Sequence, residues 1–399
     1  MSNAIVVIGG GASGMVAAIT AARAGAKVTI LEQNYKLGKK ILSTGNGHCN
    51  MTNLVQKPEF YRSTDQNFAS RVFEHFFVED TLCFFRELGI SSKNKNGYIY
   101  PRSNQAASVV EVLEMELRRL KIKCKTNETV TKIQKTETGF MVYTKTWQYE
   151  CAKVILACGS KASVIEGSDG SGYDLAEKLG HQVVTPLPAL VGLKGVGSYF
   201  VKWAGVRIDA EITLWIEEDK CMSEMGEVQL TDYGISGIPV FQISRFAARG
   251  LDDGKKVRVD IDFMPDLEKE QICQFLKGLE SFDSNKKMKN LLTGLLPSKL
   301  IDVLADGCDS LEKLSERIKS FSVDIKDTLD FSHAQVCCGG VRCDEISSDT
   351  MGSKLVPGIY FCGELVDVDG ACGGYNLQWA WSSGYLAGAS AAKESYDKN

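Results

Sequence analysis

No two cysteines in this chain stand in a C-x-x-C spacing, and histidine is scarce, with only four residues: His48, His75, His181 and His333. Zinc sites draw on cysteine and histidine clustered at short intervals, so this pattern argues against one, and no metal site is expected. Lysine and arginine never form a block long enough to neutralise a row of phosphates, and the net charge is −4. Nucleic-acid binding therefore lacks its electrostatic footprint. Long apolar runs are missing too. The most apolar stretch, the first two dozen residues, has no charged leader and is broken by "GGGASG", so it is neither a signal peptide nor a membrane span. A cytoplasmic protein without membrane association is the expectation.

Cysteine itself is plentiful, with 13 residues, an odd count. In a reducing compartment these are expected as free thiols, most of them small buried packing residues. The sequons at Asn50 and Asn127 carry no weight without secretion. At 399 residues, with 44% hydrophobic and 24% charged side chains, the composition is that of a globular protein too long for one core, and two or three domains are expected.

The most informative segment is "AIVVIGGGASGMVAAITAARAGAKVTILEQ". A β-branched run, Ala4–Ile8, reads as a buried parallel strand. Gly9-x-Gly11-x-x-Gly14 follows at once, then an alanine-rich helix stopped by Gly25, then a second strand, Lys27–Leu31, with Glu32 at its end. Each residue type has a task. Gly9 permits the tight turn, Gly11 lets a diphosphate approach the backbone, and Gly14 allows close packing of helix on strand. The amides of the helix start, including Ala12 and Ser13, favour the anion by about 0.3–2 kcal/mol. Glu32, with Gln33 beside it, lies where a carboxylate accepts from adenosine ribose hydroxyls, which implies FAD or NAD rather than NADP.

The far end of the chain decides between these two. "KLVPGIYFCGELVDVDGACGGYNLQWAWSSGYLAGASAA" begins with a strand at 358–362, continues through a Gly-Glu pair and a glycine-rich acidic loop, and ends in a small-residue helix at about 375–392. Flavoproteins with two dinucleotide folds close their FAD site in this way. Glu364, after Gly363, would bond the ribityl chain. The helix start at 374–378 would aim amides at the flavin N1–C2=O edge. The run "GSDGSGYDLAEKLG" at 167–180 has its glycines at the wrong intervals for a second nucleotide fold and no strand is expected before it. One dinucleotide site is expected, built by both ends of the chain.

Between them, "KLGKKILSTGNGHCNMTN" at 36–53 raises a choice between thiol centre, metal centre and scaffold. Disulfide chemistry needs an attacking and a resolving cysteine, and Cys49 has no near neighbour. The stretch therefore reads as a loop around the cofactor. Lys39 and Lys40 would neutralise the diphosphate, and Thr44, Gly45, Asn46, Gly47, Cys49 and Asn50 would wrap its middle.

The motifs "GKKILSTGNGHCNMTN", "GSDGSGYDLAEKLGH", "PLPALVGL", "GLLPSKL", "AQVCCGGV" and "GELVDVDGACGGYNLQWAWSSG" resemble those of the bacterial FAD-dependent flavoprotein family containing YhiN, BaiN and aminoacetone oxidase. The resemblance spans nearly the whole chain. It implies an α/β protein: a discontinuous Rossmann-like FAD-binding domain (1–188 and 331–399), an inserted β-rich, barrel-like domain (189–264 and 320–330) and a small helical insert (265–319). The sequence is compatible with this. Residues 189–263 alternate apolar and polar, 266–318 turn helical and charged, and "FSVDIKD" reads as a returning strand. Val109, Leu113, Leu117 and Leu120 mark one apolar helix face.

The same resemblance extends the cofactor contacts to the backbone of Val130 at the adenine, to Ala157 and Gly159, and to Asp367, Gly373, Gly374, Asn376, Leu377 and Gln378 around the flavin. The chain departs from the family at His48, Cys337 and Cys372, where arginine, threonine and threonine are usual. It identifies no catalytic acid or base. The implied activity is hydride transfer between flavin and a small organic substrate bound beneath the inserted domains, with NAD(P)H as a diffusible reductant and a conjugated enone reduced. The alternatives are an amine oxidase releasing hydrogen peroxide, a flavin-binding sensor or electron carrier without turnover, and RNA modification, which the acidic balance disfavours. Oligomeric state is not legible.

Overall fold

The run Ala4–Ile8 forms the central strand of a five-stranded sheet in the computed structural model, which describes residues 4–163, 167–282 and 287–393. Strand order is Ile359–Phe361, Lys153–Leu156, Ala4–Ile8, Lys27–Leu31, Lys123–Lys125, and all four pairings are parallel. A parallel sheet needs both faces covered, which is why Val7, Ile30, Ile155 and Phe361 are fully buried. The chain's late strand is thus paired into a sheet started by its first one.

One cover is the helix Ala12–Arg23, against which the long helix Tyr375–Lys393 packs closely. The contact depends on two glycines. A Cβ at Gly384 would stand 2.4 Å from the Ser13 carbonyl oxygen, and one at Gly388 would stand 2.3 Å from that of Ala17. The helix Ala106–Arg119 buries Val109, Leu113 and Leu117 as its spacing predicts. An antiparallel sheet of Val130–Lys135, Phe140–Thr144 and Gln148–Cys151 completes this part. These elements belong to one compact unit, Met1–Pro186 with Val336–Asn399.

The second unit, Leu187–Gln335, is built on a closed six-stranded barrel. Leu193–Gly195, Gly234–Gly237, Asp219–Leu230, Arg207–Ile216, Val257–Asp262 and Phe321–Thr328 follow one another, and the last pairs back to the first. Period-two alternation sends Val257, Val259, Ile261, Val323 and Ile325 into its core. The 189–263 stretch is not all strand. Ile238–Asp252 is a helix that opens with Pro239 in its first turn and buries Val240, Ile243 and Ala247 at helical spacing. The charged stretch after Asp266 forms the helices Lys269–Phe282, Met288–Leu291, Ser298–Leu304 and Leu311–Lys319, within the same unit as the barrel. No helix among the described residues is long and apolar enough to cross a membrane.

Candidate cofactor site

The three glycines of the first turn meet different surroundings. Gly9 has φ +104°, and a Cβ there would stand 2.3 Å from the Ala157 carbonyl oxygen, so only glycine fits against that strand end. A Cβ at Gly14 would stand 2.0 Å from the Gly9 carbonyl oxygen. At Gly11 nothing lies within 4 Å, which leaves room for a diphosphate beside the helix start. The helix that begins at Ala12 and Ser13 has no side-chain cap and no acidic residue in its first turn, so its leading amides are uncommitted and electropositive.

Glu32 is buried and well used. Its Oε2 accepts from the Gly10 amide at 2.7 Å, and its Oε1 accepts from the Asn34 amide at 2.8 Å and from Asn34 Nδ2 at 2.7 Å. The carboxylate therefore holds the glycine turn in place, and Oε2 keeps a lone pair for a ribose hydroxyl. Gln33 donates from Nε2 to the Gly167 carbonyl, and Lys39 Nζ donates to Asn34 Oδ1 at 2.9 Å. Val130 is buried at the start of its strand, while the amides of Asn127 and Glu128 just before it donate to the carbonyls of Asn34 and Glu32.

The wrapping loop follows a short helix, Lys39–Ser43. Gly45, Asn46, Gly47 and Cys49 all lie at positive φ, of 55°, 52°, 84° and 56°. For Asn46 and Cys49 that conformation costs about 1–3 kcal/mol each, strain of the kind stored around ligands. Cys49 is fully buried, and burial pushes its thiol up to about 12. Asn50 Oδ1 is buried without a hydrogen-bond partner among the described residues, and it faces Gly374, where a Cβ would stand 2.9 Å away. A buried acceptor in that state costs about 1–3 kcal/mol, so it marks a place for a donor from a bound group. His48 instead turns to Asn104, with Nδ1 2.8 Å from the Asn104 carbonyl oxygen.

The chain's other end closes the site. Gly363, at φ +70°, fits over Ser13, since a Cβ would stand 2.4 Å from Ser13 Oγ. Its amide donates to Ser383 Oγ and its carbonyl accepts from Trp379 Nε1, both at 2.9 Å. Glu364 pairs with Lys40 and accepts from Ser160 Oγ at 3.0 Å. Lys40 thus differs from its expected role: its ammonium neutralises Glu364 rather than standing free for a diphosphate. Ser160 is a site residue that the sequence reading misses, although it directly follows Gly159, one of the expected contacts. Asp367 accepts from the Thr64 amide at 3.0 Å and from its hydroxyl at 2.7 Å.

Gly373 and Gly374, at φ 122° and 97°, turn the chain into the last helix. Asn376 clamps that turn, accepting from the Gly370 amide at 2.7 Å and donating to the Gly370 carbonyl at 2.9 Å. Gln378 also differs from expectation. Its amide donates to the Gly374 carbonyl, and its side chain is spent on Thr52, Thr81 and Ser382. The helix amides left for a cofactor are the earlier ones, through half-buried Leu377.

The thiols near this closure are quiet. Cys337 is buried beside Ser160, and burial raises both it and Cys372 above the ordinary thiol range, which disfavours the thiolate needed for redox exchange.

A glycine turn, an acid at the second strand and a Gly-Glu closure under the last helix define a dinucleotide-binding oxidoreductase fold. The polar groups fit FAD: open backbone at Gly11 for a diphosphate, the Glu32 and Glu364 carboxylates, and an orphaned amide oxygen on Asn50 facing Gly374. The sequence matches the HI0933-like protein Rossmann domain family over residues 3–390, and the chain belongs to that family. It is 46% identical to the 3-dehydro-bile acid delta(4,6)-reductase of Clostridium scindens, over 98% of this chain and 99% of that one. It is 31% identical to the ribosomal RNA dihydrouridine synthase of Escherichia coli, over 95% and 96%, and 29% identical to that of Haemophilus influenzae, over 98% of each. A flavocytochrome c3 fumarate reductase shares the fold, with a TM-score of 0.52 at 16% identity, over 98% of this chain and 78% of that one. The protein is an FAD-dependent oxidoreductase.

Proposed function

We propose that this oxidoreductase takes hydride from diffusible NADH or NADPH and delivers it to a carbon–carbon double bond conjugated to a ketone in a small lipophilic molecule. The observation that carries this is 46% identity, over nearly all of both chains, to a reductase of a 3-dehydro-bile acid. FAD, when bound, supplies the site that accepts and returns hydride. The protein's own part is to hold it. The helix start at Ala12 favours the diphosphate, Glu32 the ribose, and Glu364 with Lys40 and Ser160 the linking chain. Amides opening the helix Tyr375–Lys393 favour negative charge on the reduced ring; about 1 kcal/mol there is worth roughly 20 mV. The sequence carries a single dinucleotide turn, which suits a reductant that comes and goes.

The test is anaerobic stopped-flow reduction by NADH and NADPH, followed by reoxidation with a steroid 4-en-3-one or 4,6-dien-3-one. Reoxidation by the enone supports the reading. Reduction by aminoacetone with peroxide release, and no response to the enone, would replace it with an amine oxidase. A second reading comes from the relatives named ribosomal RNA dihydrouridine synthase. Saturating the uracil 5,6 double bond is also reduction of an alkene conjugated to a carbonyl. The lower identity and the net charge of −4 make it the weaker reading. Dihydrouridine appearing in ribosomal RNA incubated with the enzyme and NADPH would favour it.

A further inference from the structure

Tyr173 sits in the first turn of the helix Ser171–Lys178, nearly buried at 4% exposure. This helix follows the strand Lys153–Leu156, contrary to the expectation that no strand precedes it. Gly172 lets it press onto the cofactor site. A Cβ there would stand 2.5 Å from Cys158 Cβ and 3.0 Å from Leu365 Cδ1, which sets the helix start against the Gly363–Leu365 turn. The helix also packs on the strand Val336–Val341. Tyr173 thereby lies among Cys337, Cys338, Glu364 and Asp367.

Burial, with the two carboxylates, keeps the phenol protonated well above its ordinary range, so its hydroxyl can donate. Yet that hydroxyl is buried and makes no hydrogen bond among the described residues. The two nearby carboxylates are engaged elsewhere: Glu364 with Lys40 and Ser160, and Asp367 with the amide and hydroxyl of Thr64. Buried hydroxyls in folded proteins have partners, so this one is built for an acceptor that the described residues do not supply. We propose that the Tyr173 hydroxyl donates a hydrogen bond to bound FAD beside the part held by Glu364. The proposal rests on the cofactor site described above.

The test compares wild-type and Tyr173→Phe full-length protein, first as holoenzyme and then after removal of flavin. FAD affinity is read by flavin fluorescence, the holoenzyme by its visible spectrum, and the flavin-free chain by thermal unfolding. Tyr173→Phe is expected to bind FAD about 5- to 30-fold more weakly, with shifted flavin absorption. The flavin-free variant is expected to melt at the same or a higher temperature, because an orphaned donor has been removed. FAD affinity within twofold of wild type with an unchanged spectrum would overturn the proposal. So would a lower melting temperature of the flavin-free variant, since it would reveal a partner within the chain. Wild-type protein that binds no FAD would overturn the cofactor assignment beneath it as well.

Discussion

Replacing Glu32 with alanine separates what this carboxylate does for the chain from what it does for the cofactor. In the folded chain it accepts from the Gly10 amide at 2.7 Å, the Asn34 amide at 2.8 Å and Asn34 Nδ2 at 2.7 Å, at 7% exposure. Asn34 is near enough to solvent to rehydrate, but the Gly10 amide loses its acceptor inside the glycine turn, at a cost of about 1–3 kcal/mol. A ribose hydroxyl that donates to the carboxylate makes a charge-assisted bond worth about 1.5–3 kcal/mol, so FAD affinity should fall roughly 10- to 150-fold. Glu32→Gln should lie between, because its amide must turn a donor toward one of two existing donors. The assay is fluorescence titration of flavin-free protein with FAD and, in parallel, with FMN, which lacks the adenosine. A loss equal for both flavins would assign the effect to the turn alone. An FAD affinity within twofold of wild type would refute the ribose assignment.

Gly388→Val should lower both the melting temperature and FAD retention, because a side chain 2.3 Å from the Ala17 carbonyl forces the two helices apart, at about 1–3 kcal/mol or more; an unchanged melting curve would contradict this packing. Ellman's reagent at pH 8 should modify the exposed Cys83, Cys124 and Cys221 but not the buried Cys49 and Cys362, whose thiols are pushed up to about 12, until denaturant is added. Rapid labelling of Cys49 in the folded protein would count against that burial. His181 is buried between Glu345, 2.9 Å from Nδ1, and Ser353, 2.8 Å from Nε2, and burial lowers its affinity for a proton. The unfolded chain then binds more protons than the folded one below about pH 6.5, so stability should fall as pH drops from there toward the depressed folded value and be fully present above. His181→Gln should flatten unfolding midpoints across that window, and an undiminished slope would rule the histidine out as its source.

The nucleotide turn was legible because its determinants are local. Strand, glycines, helix and Glu32 follow one another within thirty residues, and each residue type has one physical use there. The closing helix was legible for the same reason, through its run of small residues. Long-range pairing was not. Lys40 and Glu364 lie 324 positions apart, and neither residue type alone announces that they neutralise each other. Barrel closure between Leu193–Gly195 and Phe321–Thr328 was equally hidden, since alternation marks strands but not their partners. The helix Ile238–Asp252 is a different case. Its opening Pro239 and its apolar spacing at Val240, Ile243 and Ala247 were readable, but the flanking alternation and glycines of true strands overrode them. Tyr173 gave no sequence signal, because an unmet hydroxyl exists only once burial has removed the water.

The close fit of Gly384 and Gly388 on the first helix also fixes an order of events at the ribosome. The strand Ala4–Ile8 emerges before the other described elements of its sheet, which is completed by Ile359–Phe361, and the helix after it is covered by Tyr375–Lys393. At about 5–20 residues per second, roughly 20–70 s of synthesis separates the two. The unit Leu187–Gln335, contiguous in sequence, is made before the helix Tyr375–Lys393 and has a core of its own. Ala4–Ile8 can pair with Lys27–Leu31 and Lys153–Leu156 early, but the helix Ala12–Arg23 waits for its cover until Tyr375–Lys393 is made, so this early part of the chain is finished late.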